Sequence, residues 1–411
     1  MRTRILLFLL SLILVPTVTG AVILFARGYR FSPKQQAFQA TGLLSAVSLP
    51  NGASVYINNE LKSATDTTLN LTPGNYQVRI KKEGFSPWEK TLTIAPEVVT
   101  RVGPLLFPSV PSLKAVTYSG ASLPAISDDG SKVAYLSASK LYTLDLSESP
   151  LGLLNRESKL IFNFKFLIFK LEWSPDNKQI LLMSTPSAYL VDLSKSETQP
   201  VFDLKALQTE WNMSKDIKAS RNLELLPVIL KNILATAAAD LVWSPRENKI
   251  MYTATASASI PDNLIRELPG SSTQPESRNL KPDTVYVYDL EEDRNFAVGE
   301  IKLEARSTNL ETNSNDKNNN DQKLFRISDF GFRNCNSSEL MWFSDSNHLV
   351  CVQNSKIIIV EYDGQNPTLI YSGPMENRLA APYPSSKQML ILTNLTGNPA
   401  ILPNLYAVSL R

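Results

Sequence analysis

A short pattern that returns five times along residues 110–411 constrains the fold of this chain more than any other feature. Each copy has a tight turn such as Ser174-Pro175-Asp176-Asn177, an apolar triplet such as Ile180-Leu181-Leu182, and a strand-like run such as Ala188–Leu193. Pro presets φ for a turn, and Asp or Asn bonds the local backbone. The pattern therefore predicts repeated small sheets that bury their faces by stacking on one another.

The copies keep the same order of turn, triplet and run along the chain. The turns lie at 126–130, 173–177, 243–245, 343–347 and 383–386, with triplets at 133–135, 180–182, 250–252, 349–351 and 389–391. The later runs lie at 141–146, 188–193, 285–290, 357–362 and 405–410. This pattern resembles the TolB-like or WD40-like β-propeller repeat over most of residues 115–411. The resemblance implies a β-propeller of about five to six blades and says nothing about function.

Three insertions lengthen the repeat, at about 200–240, 257–282 and 306–323. Within the first, Leu225–Ala237 predicts a helix with one apolar face. That face consists of Leu226, Ile229, Leu230, Ile233 and Leu234. We expect it to pack on the propeller, with docking of a partner as the alternative. The second insertion is Pro-rich and predicts a loop, and the third is an Asn-rich, low-complexity segment.

Residues 42–96 predict a small antiparallel β-sandwich. Asn58-Asn59 tolerates the left-handed conformation of a tight hairpin, and Tyr76, Val78 and Ile80 alternate with polar residues. The sequence Pro50-Asn51-Gly52-Ala53 and its continuation resemble the PEGA domain. The other matching positions are Val55-Tyr56-Ile57-Asn58, Pro73-Gly74-Asn75-Tyr76, Val78, Gly84-Phe85 and Trp88. The resemblance implies an extracytoplasmic sandwich without catalysis and without a defined ligand.

The N-terminal residues 1–30 predict a transmembrane signal-anchor, followed by a spacer at 31–41. Residues 5–26 are apolar apart from small or weakly polar positions and Pro16, which is long enough to span a hydrocarbon core. Arg2 and Arg4 favour a cytoplasmic N-terminus, although Arg27 and other basic residues follow the run. The alternative is a signal peptide cleaved near residues 18–20. Both interpretations place the remaining chain outside the cytoplasm.

Few side chains of this sequence are suited to catalysis or to metal binding. The chain has one histidine, His348, and two cysteines, Cys335 and Cys351, and its net charge is +2. These numbers leave little room for a His/Cys metal site or a nucleophile with a histidine base, and no charge bias points to nucleic acid. The sequence predicts no catalytic, cofactor-binding or metal site. The two cysteines fit one disulfide or two buried thiols equally well.

Recurring acids invite a metal or carboxylate-pair hypothesis, but their positions favour turn chemistry. Those in turns are Asp128, Asp129, Asp176 and Asp345, and those at strand ends are Asp145, Asp192 and Asp289. We expect the repeated positions to serve the backbone, and His348 to be exposed. On the sandwich, Lys81, Lys82 and Lys90 predict a solvated face. The aromatic residues there predict core packing; they are Tyr56, Tyr76, Phe85 and Trp88.

These observations favour a non-enzymatic, membrane-anchored, extracytoplasmic envelope protein that acts as a binding or scaffolding module. We expect the partner to be an envelope protein or cell-wall glycan, and we expect no cofactor. The alternative is a propeller-based glycan lyase or hydrolase that uses carboxylates in the central funnel. A third possibility, a sensor that reports across the membrane, is disfavoured by a cytoplasmic tail of about four residues before the apolar run.

Overall fold

A computed structural model provides the three-dimensional structure of the chain. It describes residues 2–26, 28–32, 37–148, 158–195, 197–266, 270, 272–298, 335, 337–398 and 400–411. The predicted insertion at 306–323 lies outside the described residues. The chain divides into two compact units. The first contains residues 1–110, 265–275 and 411, and the second contains residues 111–264 and 276–410.

The first unit begins with a helix, α1 (Arg2–Ala26), which contains Pro16. A two-stranded hairpin of β1 (Tyr29–Ser32) and β2 (Ala37–Ala40) follows it. Across the part of the chain that the structure describes, no helix has both the length and the apolar character needed to cross a membrane.

The rest of the first unit contains two small sheets that form the predicted sandwich. Their strands are β3 (Gly42–Ala46), β4 (Ser54–Ile57), β5 (Glu60–Ala64), β6 (Thr67–Leu71), β7 (Gly74–Lys81), β8 (Trp88–Ile94) and β9 (Val99–Val102). One sheet has the order β6-β3-β9 and the other β5-β4-β7-β8. Strand β9 pairs in parallel with β3, so the sandwich extends beyond residue 96, where the sequence analysis ended it.

A single apolar core lies between these two sheets. Val55, Val78 and Ile80 are fully buried in it, and Trp88 is buried beside them. Tyr76 and Phe85 pack against this core as half-buried residues, as predicted. At Gly42 an added Cβ would lie 2.4 Å from the backbone oxygen of Ala95, so only glycine allows this close approach.

The large unit contains five four-stranded antiparallel sheets within its described residues. The first sheet is β11 (Ser122–Ile126), β12 (Lys132–Ser137), β13 (Lys140–Asp145) and β14 (Lys159–Asn163). The second sheet is β15 (Ile168–Trp173), β16 (Gln179–Ser184), β17 (Ala188–Asp192) and β18 (Glu197–Val201). The third sheet is β19 (Ala238–Trp243), β20 (Lys249–Ala254), β23 (Val285–Asp289) and β24 (Arg294–Ala297). A short pair, β21 (Ala258–Ser259) and β22 (Asn279–Leu280), lies between β20 and β23.

The fourth and fifth sheets complete the series. The fourth is β25 (Leu340–Trp342), β26 (His348–Gln353), β27 (Lys356–Glu361) and β28 (Thr368–Ser372), preceded by a 3₁₀ helix at Ser337–Glu339. The fifth is β29 (Ala380–Pro382), β30 (Gln388–Thr393), β31 (Asn404–Ser409) and β10 (Leu113–Ala115). Its fourth strand, β10, therefore comes from the beginning of the unit and pairs with the last strand, β31.

Each copy of the sequence repeat corresponds to one of these sheets. The apolar triplets lie in the second strands, and the later runs begin in the third strands. The second strands β12, β16, β20, β26 and β30 are buried along nearly their whole length. A strand covered on both faces needs apolar residues at consecutive positions, which explains why the triplets do not alternate with polar residues.

Shared apolar cores join neighbouring sheets. The first sheet packs on the second through a core that includes Leu136 and Trp173, and on the fifth through a core that includes Tyr135 and Leu390. The third and fourth sheets share a core that includes Val287. The fold is therefore all-β apart from a few helices, with sheets stacked face to face.

The insertion between the second and third sheets contains two helices, α2 (Leu204–Glu224) and α3 (Val228–Ala237). The sequence analysis predicted a helix from Leu225, and α3 begins three residues later, with Pro227 at its N-cap position and no side-chain cap hydrogen bond. Its buried residues are Leu230, Leu234 and Ala237, which confirms packing on the unit for part of the predicted face. Ile229 is exposed, and α2 was not predicted at all.

The second insertion differs from the predicted loop of the large unit because residues 265–275 belong to the first unit. Thr273 Oγ1 accepts a hydrogen bond from Thr93 N at 3.1 Å, and Gln274 Nε2 donates to Thr91 O at 2.9 Å. Strand β8 lies at the edge of its sheet, where its backbone groups are free to bond to another segment. The sequence of this segment did not predict where it lies. The position of β8 at the edge of its sheet explains the placement.

Candidate functional site

The first-to-second strand turns of the five sheets have the same geometry, and we define these five turns as the repeat turns. In each, the fourth residue donates a backbone hydrogen bond to the carbonyl of the first. The pairs are Gly130–Ser127 (2.8 Å), Asn177–Ser174 (2.9 Å), Glu247–Ser244 (2.8 Å), Ser346–Phe343 (3.2 Å) and Ser386–Tyr383 (2.8 Å). The fourth residue always has a positive φ, between 56° and 67°. This left-handed conformation explains the glycine at 130 and the asparagine at 177.

Asp129 and Asp176 in the repeat turns bond to their own turn, as the sequence analysis predicted, whereas the Asp128 carboxylate pairs with Lys215 outside its turn. Asp129 Oδ1 accepts hydrogen bonds from Ser127 Oγ at 2.6 Å and from Ser131 N at 3.0 Å. Asp176 Oδ1 likewise accepts one from Ser174 Oγ at 2.6 Å. Burial works to raise the pKa of Asp129, but these hydrogen bonds outweigh it and the pKa lies below its ordinary value. The Ser174 hydroxyl lowers the pKa of Asp176 in the same way.

His348 is buried, so the prediction that it would be exposed is wrong. Its Nδ1 lies 2.7 Å from Asp345 Oδ2, and its ring meets Phe343 edge to face. Burial works to raise the pKa of Asp345, but the charge and hydrogen bond of His348 lower it below its ordinary value. His348 is the first residue of the buried strand β26, and the analogous position in the third sheet holds the buried Lys249.

Acids at the ends of the third strands share one structural role, as predicted. Each accepts a hydrogen bond on Oδ1 from the backbone N–H two residues later. The distances are 2.8 Å for Asp145 and Ser147, 2.8 Å for Asp192 and Ser194, and 2.9 Å for Asp289 and Glu291. This is an Asx turn, which satisfies a backbone donor where the strand ends.

The third sheet contains a buried ion pair between the first residue of β20 and the last residue of β23. Lys249 Nζ lies 3.3 Å from Asp289 Oδ2, with 4% and 3% of the two side chains exposed. The ammonium also lies 4.7 Å from the ring centroid of Tyr362, the residue that follows β27 of the fourth sheet. Burial and the charge of Asp289 raise the pKa of Tyr362 above its ordinary value. This cluster therefore ties the third sheet to the fourth with both charges compensated.

Two tryptophans at equivalent positions join neighbouring sheets. Trp173 Nε1 donates to Ala125 O of the first sheet at 2.8 Å, and Trp342 Nε1 donates to Val242 O of the third sheet at 2.9 Å. The turn hydrogen bonds show that Trp342, and not Phe343 as the sequence analysis aligned it, corresponds to Trp173. Trp243 occupies this position in the third sheet and is half-buried.

The repeat turns of neighbouring sheets contact one another. Asp128 N donates to Asn177 Oδ1 at 3.0 Å, which joins the first and second turns. Arg246 N donates to Ser346 Oγ at 3.0 Å, which joins the third and fourth. The hydroxyls of Ser344 and Ser386 lie 2.9 Å apart and join the fourth and fifth. The first turn therefore meets the second, and the third, fourth and fifth turns also meet; we call the surface that the five repeat turns present the turn face.

Helix α2 lies against the turn face. Its first half packs on the second sheet through Leu204, Leu207 and the buried Trp211. In its second half, Lys215 Nζ lies 3.2 Å from Asp128 Oδ2, and Lys218 Nζ lies 4.0 Å from Glu247 Oε1. Since Asp128 belongs to the first repeat turn and Glu247 to the third, the helix reaches both.

A polar network lies among the residues on either side of 265–275, in the connection between strands of the third sheet. The guanidinium of Arg278 lies 2.8 Å from an Asp262 oxygen, 3.0 Å from Glu276 and 3.3 Å from Asp293. Asp293 also accepts hydrogen bonds from the Tyr288 hydroxyl and from Leu264 N. Burial works to lower the pKa of Arg278, but the acids outweigh it and raise it. Arg278 therefore pairs with all three acids of this network, and Arg294 also lies 3.8 Å from Glu276.

The two cysteines form a disulfide, which decides between the alternatives left open by the sequence. The Cα atoms of Cys335 and Cys351 lie 6.1 Å apart, within the ordinary range for a bridge, and both residues are buried. Glu339 lies close to both sulfurs, and three such ligands could in principle hold a metal ion. Because the sulfurs are bonded to each other, they are not thiolates that could ligate one.

The geometry of the sandwich agrees with the comparison to known families. Residues 41–105 match the PEGA domain family. The matched segment ends at the residue that bridges to Leu49 after β9, so the PEGA domain includes the strand that the sequence analysis omitted. The search of curated proteins returned no match to this sequence.

Solved structures similar to this chain include several β-propellers. TolB from Acinetobacter baumannii is 13% identical with a TM-score of 0.23, covering 81% of this chain and 59% of that one. The Cps50 (Swd1) β-propeller domain of Myceliophteria thermophila is 10% identical with a TM-score of 0.31, covering 73% and 100%. The β-propeller domain of the Trilobed protease from Pyrococcus furiosus is 10% identical with a TM-score of 0.21, covering 90% and 96%. This chain thus spans less than two thirds of the TolB structure.

Proposed function

We propose that this protein is a non-enzymatic binding and scaffolding protein of the bacterial cell envelope. Its PEGA domain and its stacked four-stranded sheets serve as binding modules. One observation supports the proposal: Asp129, Asp176 and Asp345, which are acids at repeated turn positions, each bond to the backbone of their own turn. Asp129, Asp176 and Asp345 have lowered pKa values, which is the opposite of what a general acid requires.

We propose that the five sheets are the blades of a five-bladed propeller. One sheet for each copy of the repeat supports this number, as does the packing of the fifth sheet on the first. The pairing of β10 with β31 supports it as well, because a propeller needs its first and last sheets to be held together.

We propose that residues after about 27 lie outside the cytoplasm and that residues 5–26 anchor the chain in the membrane. The apolar sequence of this run supports the anchor. The disulfide Cys335–Cys351 supports an oxidising compartment, where such bonds persist. We propose an envelope protein or a cell-wall glycan as the partner, because a net charge of +2 offers no attraction for nucleic acid.

Two measurements on the full-length protein test this function. Cross-linking in intact cells followed by purification should recover a reproducible envelope protein or glycan fragment. Incubation of the purified protein with glycans, peptides and esters should give no turnover above background. An activity that one Asp or Glu substitution abolishes, in a variant that still folds, would place the protein among the enzymes instead.

A further inference from the structure

Helix α2 carries one continuous stripe of residues whose chemistry changes halfway along. The positions 204, 207, 211, 215 and 218 follow one another at steps of three or four, so they lie on the same side of the helix. Leu204, Leu207 and Trp211 make the first half of this stripe apolar. Lys215 and Lys218 make the second half basic.

The first half is attached to the second sheet by apolar packing. Trp211 is buried against Leu181, Met183 and Ala188, with Leu204 and Leu207 beside it. Asp203 caps the helix, accepting a hydrogen bond from Ala206 N at 2.9 Å. Burial of a tryptophan and a capped N-terminus both stabilise this half in place.

The second half is held in a different way. Residues 212–221 are all exposed, so no side chain in this stretch is buried against the turn face. The ion pairs Lys215–Asp128 and Lys218–Glu247 join it to the turns, and both partners of each pair remain between 42% and 78% exposed. Exposed ion pairs contribute little stability and are weakened by salt.

We propose that α2 is a strap, fixed at Trp211 and held over the turn face beyond it by charge. When the two ion pairs break, residues 212–221 move away from the turns while residues 204–211 stay attached to the second sheet. The movement uncovers the repeat turns of the first and third sheets, which carry Asp128 and Glu247. The strap is a property of the large unit and does not depend on the proposed function.

Distances between spin labels on the full-length protein test the strap. With both native cysteines in the disulfide, a label at Ile217→Cys on the second half is paired with one at Lys178→Cys beside the second repeat turn. Raising the salt from about 0.05 M to about 0.5 M should increase a population with a longer distance by about threefold. A matched pair, Lys205→Cys on the first half with Lys178→Cys, should give one distance that salt does not change.

Charge reversal distinguishes the ion pairs from a general effect of salt. Lys215→Glu with Lys218→Glu should produce the longer distance already at low salt. Adding Asp128→Lys and Glu247→Lys should restore the shorter one. A single distance in all variants and at both salt concentrations would overturn the strap, and so would equal movement of the two halves.

Discussion

At the scale of single residues, polar contacts at the ends of strands determine how one sheet meets the next. The indoles of Trp173 and Trp342 each donate to a backbone carbonyl of the preceding sheet while their rings fill the core. Trp243 has the same place in the repeat but is half-buried. Identical positions in a repeat can therefore differ in how much each contributes to stability.

Replacing Trp173 with alanine should lower the free energy of unfolding by about 3–5 kcal/mol, because it leaves a cavity and an unpaired carbonyl. Trp243→Ala is the matched control and should lower it clearly less, since its ring is partly in solvent. Chemical denaturation of both variants measures the difference. Equal losses for the two variants would contradict the assigned difference in burial.

The buried pair of Asp345 and His348 should make the stability of the protein depend on pH in the acid range. A carboxyl whose pKa is lowered by folding stabilises the protein above its ordinary value of about 3.9. That contribution is lost as the pH falls through the lower pKa of the folded state. Asp345→Asn should therefore lower the melting temperature at about pH 7. The decrease of the melting temperature below about pH 4 should be smaller than in the unchanged protein. The exposed Asp216→Asn is the control, and an unchanged slope for Asp345→Asn would refute the role of this pair.

At the scale of elements, the third and fourth sheets are joined by charge as well as by apolar packing. Lys249 begins β20, Asp289 ends β23, and Tyr362 follows β27, so three strands bring their ends together. Such a cluster is costly to break because removing one partner leaves the other buried and unpaired.

Lys249→Ala should lower the free energy of unfolding by about 3–5 kcal/mol. The double variant Lys249→Met with Asp289→Asn should be less destabilised than Lys249→Ala alone, because no uncompensated charge remains and the introduced asparagine keeps the acceptor of the Asx turn. Lys170→Ala breaks the partly exposed pair with Glu172 and should cost under about 1 kcal/mol. Denaturation of the three variants checks the order, and a double variant weaker than Lys249→Ala would contradict it.

The sequence predicted the second and third strands of every sheet because their apolar residues and turns recur. It also predicted the roles of Asp129 and Asp176, since turn acids bond locally. It could not predict α2. The apolar residues on one side of this helix stop at Trp211, and the lysines beyond pair with acids in turns that are distant in sequence. It misplaced His348 because one charged partner, Asp345, decides whether a histidine can be buried.

At the scale of the whole molecule, the N-terminus and the disulfide are the two features that bear on the proposed location of the protein. The apolar run at residues 5–26 was predicted to anchor the chain, and this stays a prediction. The bridge between Cys335 and Cys351 points to a compartment where thiols are oxidised.

The full-length protein should sediment with membranes and resist extraction by high salt and by carbonate, because an inserted apolar segment is not held by charge. Protease added to spheroplasts should digest the large unit, which we place outside. Recovery of a soluble chain that begins near Ala21 would favour the cleaved signal peptide. Digestion only after lysis would reverse the orientation.

The fifth sheet has a consequence for how the protein is made. Its strand β10 comes from the start of the large unit and pairs with β31, and Thr117 bonds to Asn404 across 287 positions of sequence. Until the ribosome has synthesised residue 409, this sheet cannot form, and the first sheet lacks the neighbour that covers one of its faces. A nascent chain thus stays incompletely folded throughout translation, a state that an export channel for unfolded polypeptides can accept.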